Sequence, residues 1–387
     1  MAHLPSSLDK LAKELRTESV SSFKALQDYV GQTWGGDSTK LDLLLRKGVF
    51  PYTWLDQPSK LEVSSLPPQP KFYNDLSEEP CSDEDYQHAH KVWDTFGMRS
   101  FREYTDIYVK TDVLLLVDVF NRYREECLEA YKLDSIHYFT CPALTWDAGL
   151  KFSNVRLELL TNVDQYMFCE AAIRGGVSTI CHRHAEANNI YLPDTYDPQK
   201  PDRFLIYLDA NNLYGQCMSR PLPEKNFHWK TDLTTDDIRN YDPNCGWGCL
   251  VQVDAEIPDE LHDKLNDIPP CPDSLDIDHK MASSTTRRHR ATRFGDAYVA
   301  PTQQKLAPNL FNKEGYIGHI TAMKKWMELG VKITRIIKVL AFDQRPWLEP
   351  YIKFNTEKRM AADSDFKRSF YKLMVSCRSF HLNFTNI

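Results

Sequence analysis

The 387-residue chain has no apolar run near the roughly 18–20 residues that a membrane-spanning helix needs. It has only 15 glycines and no glycine repeat, which excludes collagen-like architectures. Its aromatic residues, 12% of the chain, exclude a wholly disordered one. The opening MAHLPSSLDKLAKELRT lacks the basic-then-apolar order of a secretory leader, so an intracellular protein without membrane partners is expected. An excess of positive charge is also missing. At a net −7 the chain cannot coat nucleic acid by overall charge, and any such contact must come from local clusters. Ten cysteines are present, but none forms C-x-x-C. Cys245 and Cys249, with Cys181, His182 and His184, fit no standard zinc spacing. Free thiols of a reducing compartment are the better reading.

What is present reads as α/β. SSLDKLAKELRT pairs a serine cap with Leu8, Leu11 and Leu15 at helical spacing, and residues 51–90, rich in Pro, Ser and acids, predict little regular structure. A helix is expected from Asp83 to Gly97, and a longer one over 104–132, where Val109, Val113, Leu116, Phe120, Tyr123 and Cys127 form an apolar stripe. Asp112 falls beside that stripe and Asp118 elsewhere. An aspartate there is costly unless paired or bound to a metal, and a cap or salt bridge stays open beside the metal reading. A helical region over 142–160 precedes Ile173-Arg174-Gly175-Gly176, a helix-to-strand break with a phosphate-seeking cation.

Phe204–Leu208 is a continuous apolar run ending in Asp209, which predicts a buried central strand with a carboxylate at its tip, well placed to hold a hard divalent cation. Residues 247–258 alternate as a strand, 316–330 read as a helix closed by Gly330, and 331–342 as strand. Arg287, Arg288, Arg290 and Arg293 either grip phosphates or form a solvated run. A single basic helix is expected over 350–374, carrying Lys353, Lys358, Arg359, Lys367, Arg368 and Lys372.

Four of these motifs add up to a family. DANNLYG at 209–215, followed by MSRPLP, resembles palm motif A of family B DNA polymerases, D-x-x-S-L-Y-P. YVKTD at 108–112 resembles the third exonuclease motif, Y-x-x-x-D, and IRGG at 173–176 the Y-x-G-G step of the protein-primed branch. FYKLM at 370–374 resembles the opening of motif B. All four keep the family's order, and the phrases around them are similar to polymerases of Maverick or Polinton transposons and related viruses. The motif A serine is Asn212 here, and the proline is Gly215.

The resemblance implies a family B polymerase fragment with a partial RNase H-like exonuclease domain (1–165), a palm with motif A and an inserted segment (166–345), and a fingers helix (346–374). Residues 375–387, VSCRSFHLNFTNI, do not continue motif B and are read as an aberrant tail. It implies template-directed nucleotidyl transfer from dNTPs, with DNA template and primer, a terminal priming protein and two Mg2+ ions as partners. Asp209 and the carbonyl of Ala210 would hold metal in the palm, and Asp112 in the nuclease, where Tyr108 would orient water. Tyr214 would exclude a 2′-hydroxyl, and Lys372, with Arg368 and Arg359 on the same helix face, would contact the triphosphate. Arg174, Gly175 and Gly176 would guide the template. The first two exonuclease motifs and motif C, with its second palm carboxylate, are not in the sequence, so this chain alone is expected to bind DNA weakly without extending primers. A non-catalytic nucleic-acid-binding remnant stays open as the alternative. A nucleus or a viral factory would suit either.

Overall fold

The computed structural model describes every residue except 1, 2, 5, 76, 183 and 377–387. The expected aberrant tail therefore lies almost wholly outside the described residues. The chain divides into two compact units. One comprises residues up to 155 together with those from 348 onward, and the other residues 156–347.

The first unit is helical. α1 (Leu8–Glu18), α2 (Lys24–Trp34) and α3 (Ser38–Leu44) precede two short 3-10 turns in the proline-rich stretch. α4 (Asp83–Thr95) starts where the sequence predicts, with Ser82 as its cap, and Gly97 beyond its end adopts φ 60°. α5 (Phe101–Tyr131) is the long element, followed by α6 (Cys141–Ser153). Two further helices, Glu349–Met360 and Asp365–Ser376, belong to the same unit.

The predicted stripe of α5 is buried only in its C-terminal part, at Tyr123 and Cys127. Tyr104, Tyr108, Leu115 and Val119 are inside, whereas Val109, Val113 and Leu116 are exposed. Both sides of this helix are apolar, so periodicity cannot choose between them. The aspartates exchange roles accordingly. Asp118 is buried and accepts from the backbone N–H groups of Ala25 (2.8 Å) and Leu26 (3.1 Å). It thereby caps α2, whose own N-cap residue, Phe23, has no side-chain oxygen to offer. Farther along α5, Arg122 bridges Glu18 and Glu126, each at 2.8 Å, while the Tyr371 hydroxyl donates to Glu126 at 2.7 Å. This half-buried network ties α1, α5 and the last helix together. Removing one member of such a network costs about 3–5 kcal/mol, because the remaining charge stays desolvated.

The second unit is built on an antiparallel sheet. Its elements in chain order are α7 (Val163–Ala172), α8 (Leu213–Met218), β1 (Leu222–Trp229), α9 (Thr235–Asn240), β2 (Trp247–Glu256), α10 (His262–Leu265), β3 (Asp273–Ile277), α11 (Ser284–Phe294), β4 (Gln303–Ala307), β5 (Lys313–His319), α12 (Ile320–Glu328) and β6 (Lys332–Arg345). The four-stranded sheet has the order β1-β6-β2-β5, and β3 pairs with β4 as a separate ribbon.

Alternation along β2 sets the two faces. Val251, Val253 and Ala255 meet Val339 and Ala341 of β6 under Ile320 and Met323 of α12 and Ile238 of α9. On the other face Leu250, Leu340 and Ile317 meet Phe168 of α7, with Phe227 and Trp229 of β1. Each fully buried Val, Leu, Ile or Met side chain among these contributes about 1.5–3 kcal/mol. The predicted helix over 316–330 is instead the end of β5 followed by α12, because Tyr316 and Ile317 face opposite sides of the sheet.

Two further expectations are corrected. Residues 204–208 form no strand, and all five are exposed. A buried strand needs neighbours for its backbone groups, and no described segment pairs with this one. The single basic helix is two, separated at residues 361–364, where the Ser364 hydroxyl accepts from the Lys367 N–H and starts the second.

Candidate functional site

Tyr108 and Asp112 lie one turn apart on α5, as the spacing requires. Tyr108 is buried against Phe50, with ring centroids 4.7 Å apart, and its hydroxyl is 2.6 Å from that of Tyr52. Burial, the Tyr52 contact and the nearby Asp112 carboxylate push the Tyr108 phenol well above its ordinary value, so it remains a proton donor. Asp112 Oδ2 is 3.3 Å from Lys47 Nζ, while its buried Oδ1 has no hydrogen-bond partner. Lys47 and Tyr52 were not legible as site residues, since neither sits in a motif.

An orphaned carboxylate oxygen is a feature a cation could use. Lys47, however, already supplies the counter-charge, and no group of three or more His, Cys, Asp or Glu side chains occurs among the described residues. A hard divalent cation takes about six oxygen ligands, so the residues described around Asp112 do not fit one.

Asp209 and Ala210 fall in the exposed irregular segment, where Tyr207 is 92% exposed. The structure does not bring Asp209 to a strand tip of the sheet, and none of the cavities described below includes it. A tight turn follows. Asn212 adopts the left-handed conformation (φ 53°) and precedes α8, leaving Tyr214 73% exposed on its first turn. Asn tolerates this backbone better than most residues. Its side chain lies over Gly215 so closely that a Cβ there would fall 2.7 Å from Asn212 Cγ. The two departures from motif A are thus coupled: Asn212 occupies the space that any side chain at 215 would need.

Arg174 is half-buried and engaged. Its guanidinium donates to the carbonyl of Ile317 (2.5 Å) on edge strand β5 and to that of Ala172 (3.2 Å), and stacks 3.8 Å from the Tyr316 ring centre. This anchors the chain after α7. Gly175 and Gly176 are exposed, with nothing within 4 Å of an added Cβ and no positive φ. Nothing within the fold requires glycine at either position.

The expected triphosphate contacts are divided between two helices. Arg359 lies on Glu349–Met360, while Arg368 and Lys372 lie on Asp365–Ser376. Arg368 is ion-paired with Asp365 and Lys367 with Asp363, so much of the local positive charge is balanced. Lys372 lines a cleft of about 270 Å³ with Lys10, Leu11, Glu14 and Phe370. Burial raises the Glu14 carboxyl above its ordinary value. In the other unit, a cavity of about 420 Å³ is lined by Arg239, Lys324, Glu328 and Lys332 and holds none of the motif residues.

Comparison with curated proteins finds no match. Among solved structures the chain is similar to Phi29 DNA polymerase, with 11% identity and a TM-score of 0.40, over 84% of this chain and 45% of that one. The chain thus spans under half the length of that polymerase. The family profile described as DNA polymerase type B, organellar and viral, matches residues 4–375, nearly everything from α1 to the last described helix. On that match the chain belongs to the organellar and viral type B DNA polymerases.

Proposed function

We propose that the chain is the motif A-bearing part of a DNA-directed DNA polymerase, of transposon or viral type and protein-primed, which adds dNTPs to a primer on a DNA template. The observation that carries this reading is family membership over residues 4–375. The order of the four motifs supports it. So do the two glycines that the fold does not require, since a phosphate backbone approaching Gly175 and Gly176 would need their lack of a side chain.

In this reading Asp209 is the catalytic carboxylate, with the Ala210 carbonyl beside it. Tyr214, exposed at the start of α8, meets the sugar of the incoming nucleotide and excludes a 2′-hydroxyl by bulk. Lys372, with Arg368 and Arg359, takes the triphosphate, and Arg174 aligns the glycine step along the template. Residues 1–165 correspond to the nuclease part, 166–345 to the palm and 346–374 to the fingers. Mg2+ is the cation the reading implies, but Asp209 as a lone carboxylate does not fit a two-metal cage.

Binding without catalysis is the second reading, and one observation favours it at the nuclease locus: Lys47 is paired with Asp112. Primer extension on a primed single-stranded template, run beside DNA binding, tests both. The expected result is weak binding that falls with salt, with no product in Mg2+ or Mn2+. Template-dependent product that disappears in Asp209→Ala would overturn the expected inactivity and establish Asp209 as catalytic. Absence of DNA binding at low salt would overturn both readings.

A further inference from the structure

α11 has little reason to be a helix within this fold. It is eleven residues long and buries none of them. Isolated helices of this length are marginal in water, and what holds this one is the Ser283 cap and the Gly295 backbone contact. It sits at the tip of the β3–β4 ribbon, beyond the Ile277↔Gln303 rung, in an excursion that leaves the main sheet after β2 and returns at β5.

Its charge is one-sided and uncompensated. Arg287, Arg290 and Arg293 recur at three-residue spacing and so descend one side, with Arg288 flanking. Among the described residues none of the four has a carboxylate in ion-pair range. By contrast, Arg368 and Lys367 in the C-terminal helices are paired. Phe294 follows on the same side, four residues after Arg290, and is 55% exposed. Its ring lies 4.8 Å from that of Tyr298, tilted 32°, with the Arg293 guanidinium 5.3 Å from its centre.

We propose that α11 and the Phe294–Tyr298 pair form a binding surface for single-stranded nucleic acid. The arginines take successive phosphates, and an unstacked base lies on the aromatic pair. Exposed aromatic faces beside a cationic track suit a single strand, whose bases are free to stack on them; the bases of a duplex already stack on one another. Binding also supplies the stabilisation that the helix lacks, so the strand should raise its helicity. The inference uses binding alone and does not depend on whether the chain polymerises.

The test is fluorescence anisotropy with labelled oligo-dT, oligo-rU and a mixed-sequence DNA duplex across a salt series. Replacing Arg287, Arg290 and Arg293 together by Ala is expected to weaken oligo-dT binding at least about 10-fold. It should also lower the salt slope by about 2, at roughly 0.7 per phosphate. Phe294→Ala is expected to weaken oligo-dT binding about 5- to 10-fold with an unchanged slope, and to leave duplex binding alone. Because none of these side chains is buried, unchanged thermal unfolding should show that both variants stay folded. Equal weakening on oligo-rU would assign the surface to single strands of either sugar, and weakening on oligo-dT alone would assign it to DNA. Wild-type oligo-dT affinity in the triple variant would overturn the proposal. So would a loss confined to the duplex.

Discussion

Tyr108–Asp112 and Asp209–Tyr214 are motifs of similar length and similar clarity in the sequence, yet the fold treats them differently. On α5 the Tyr108 ring is fixed between Phe50 and Tyr52 even though Val113, one residue past Asp112, is 54% exposed. Residues 204–210 have no regular structure and are exposed throughout. A helix carries its own hydrogen-bond partners, whereas a strand must borrow them from elsewhere in the chain. The geometry of a helical motif is therefore set within one or two turns, and that of a motif at a strand tip by residues far away.

The contrast is broken most directly by removing a ring from each region. Tyr123→Ala, fully buried on α5, is expected to cost about 3–5 kcal/mol in urea unfolding. Tyr207→Ala should stay within about 0.5 kcal/mol of the parent. A large loss at Tyr207 would mean that the segment packs in solution. The aspartates make the next pair. Asp118→Ala should cost about 1–2 kcal/mol through the lost cap on α2, while Asp209→Ala should leave the unfolding midpoint in place.

A smaller effect probes the helical end of the motif A segment. Gly215→Ala should destabilise by about 1 kcal/mol as its Cβ meets Asn212. The Asn212→Ser, Gly215→Ala double variant should recover part of that loss, and strict additivity of the two changes would show that they are uncoupled. The smallest effect belongs to the helical unit in acid. Arg124 holds the Asp134 carboxyl at about 2, below its ordinary value. Its stabilising share is present above the unfolded value near 3.9 and is lost as the pH falls towards 2. Asp134→Asn should flatten the stability-versus-pH curve in that window only.

The same physics decides what could be read from the sequence. α4 and α5 were legible because caps and periodicity are local, and β2 because its alternation is strict. The buried side of α5 was legible at Tyr123 and Cys127 but not around Val109, Val113 and Leu116, since apolar residues line both sides there. The break at 361–364 carried a signal, Ser364 ahead of Asp365, that the run of basic residues obscured. Phe204–Leu208 has the composition of a strand, but composition does not supply the partner. Among site residues, the Tyr108–Asp112 spacing was readable. Lys47 beside Asp112 and the carbonyls that hold Arg174 were not, because those contacts join residues distant in the chain.

The β3–β4 ribbon makes the tip of the excursion separable. Ladder pairing at Asp273↔Ala307 through Ile277↔Gln303 already brings the two ends of that tip together, so changing its length adds little closure entropy. In evolutionary terms the ribbon is a socket. Whatever sits beyond Ile277 can be lengthened, shortened or exchanged without disturbing the packing of β2 against β5 and β6, which lets the cationic tip diverge at a pace the sheet cannot follow.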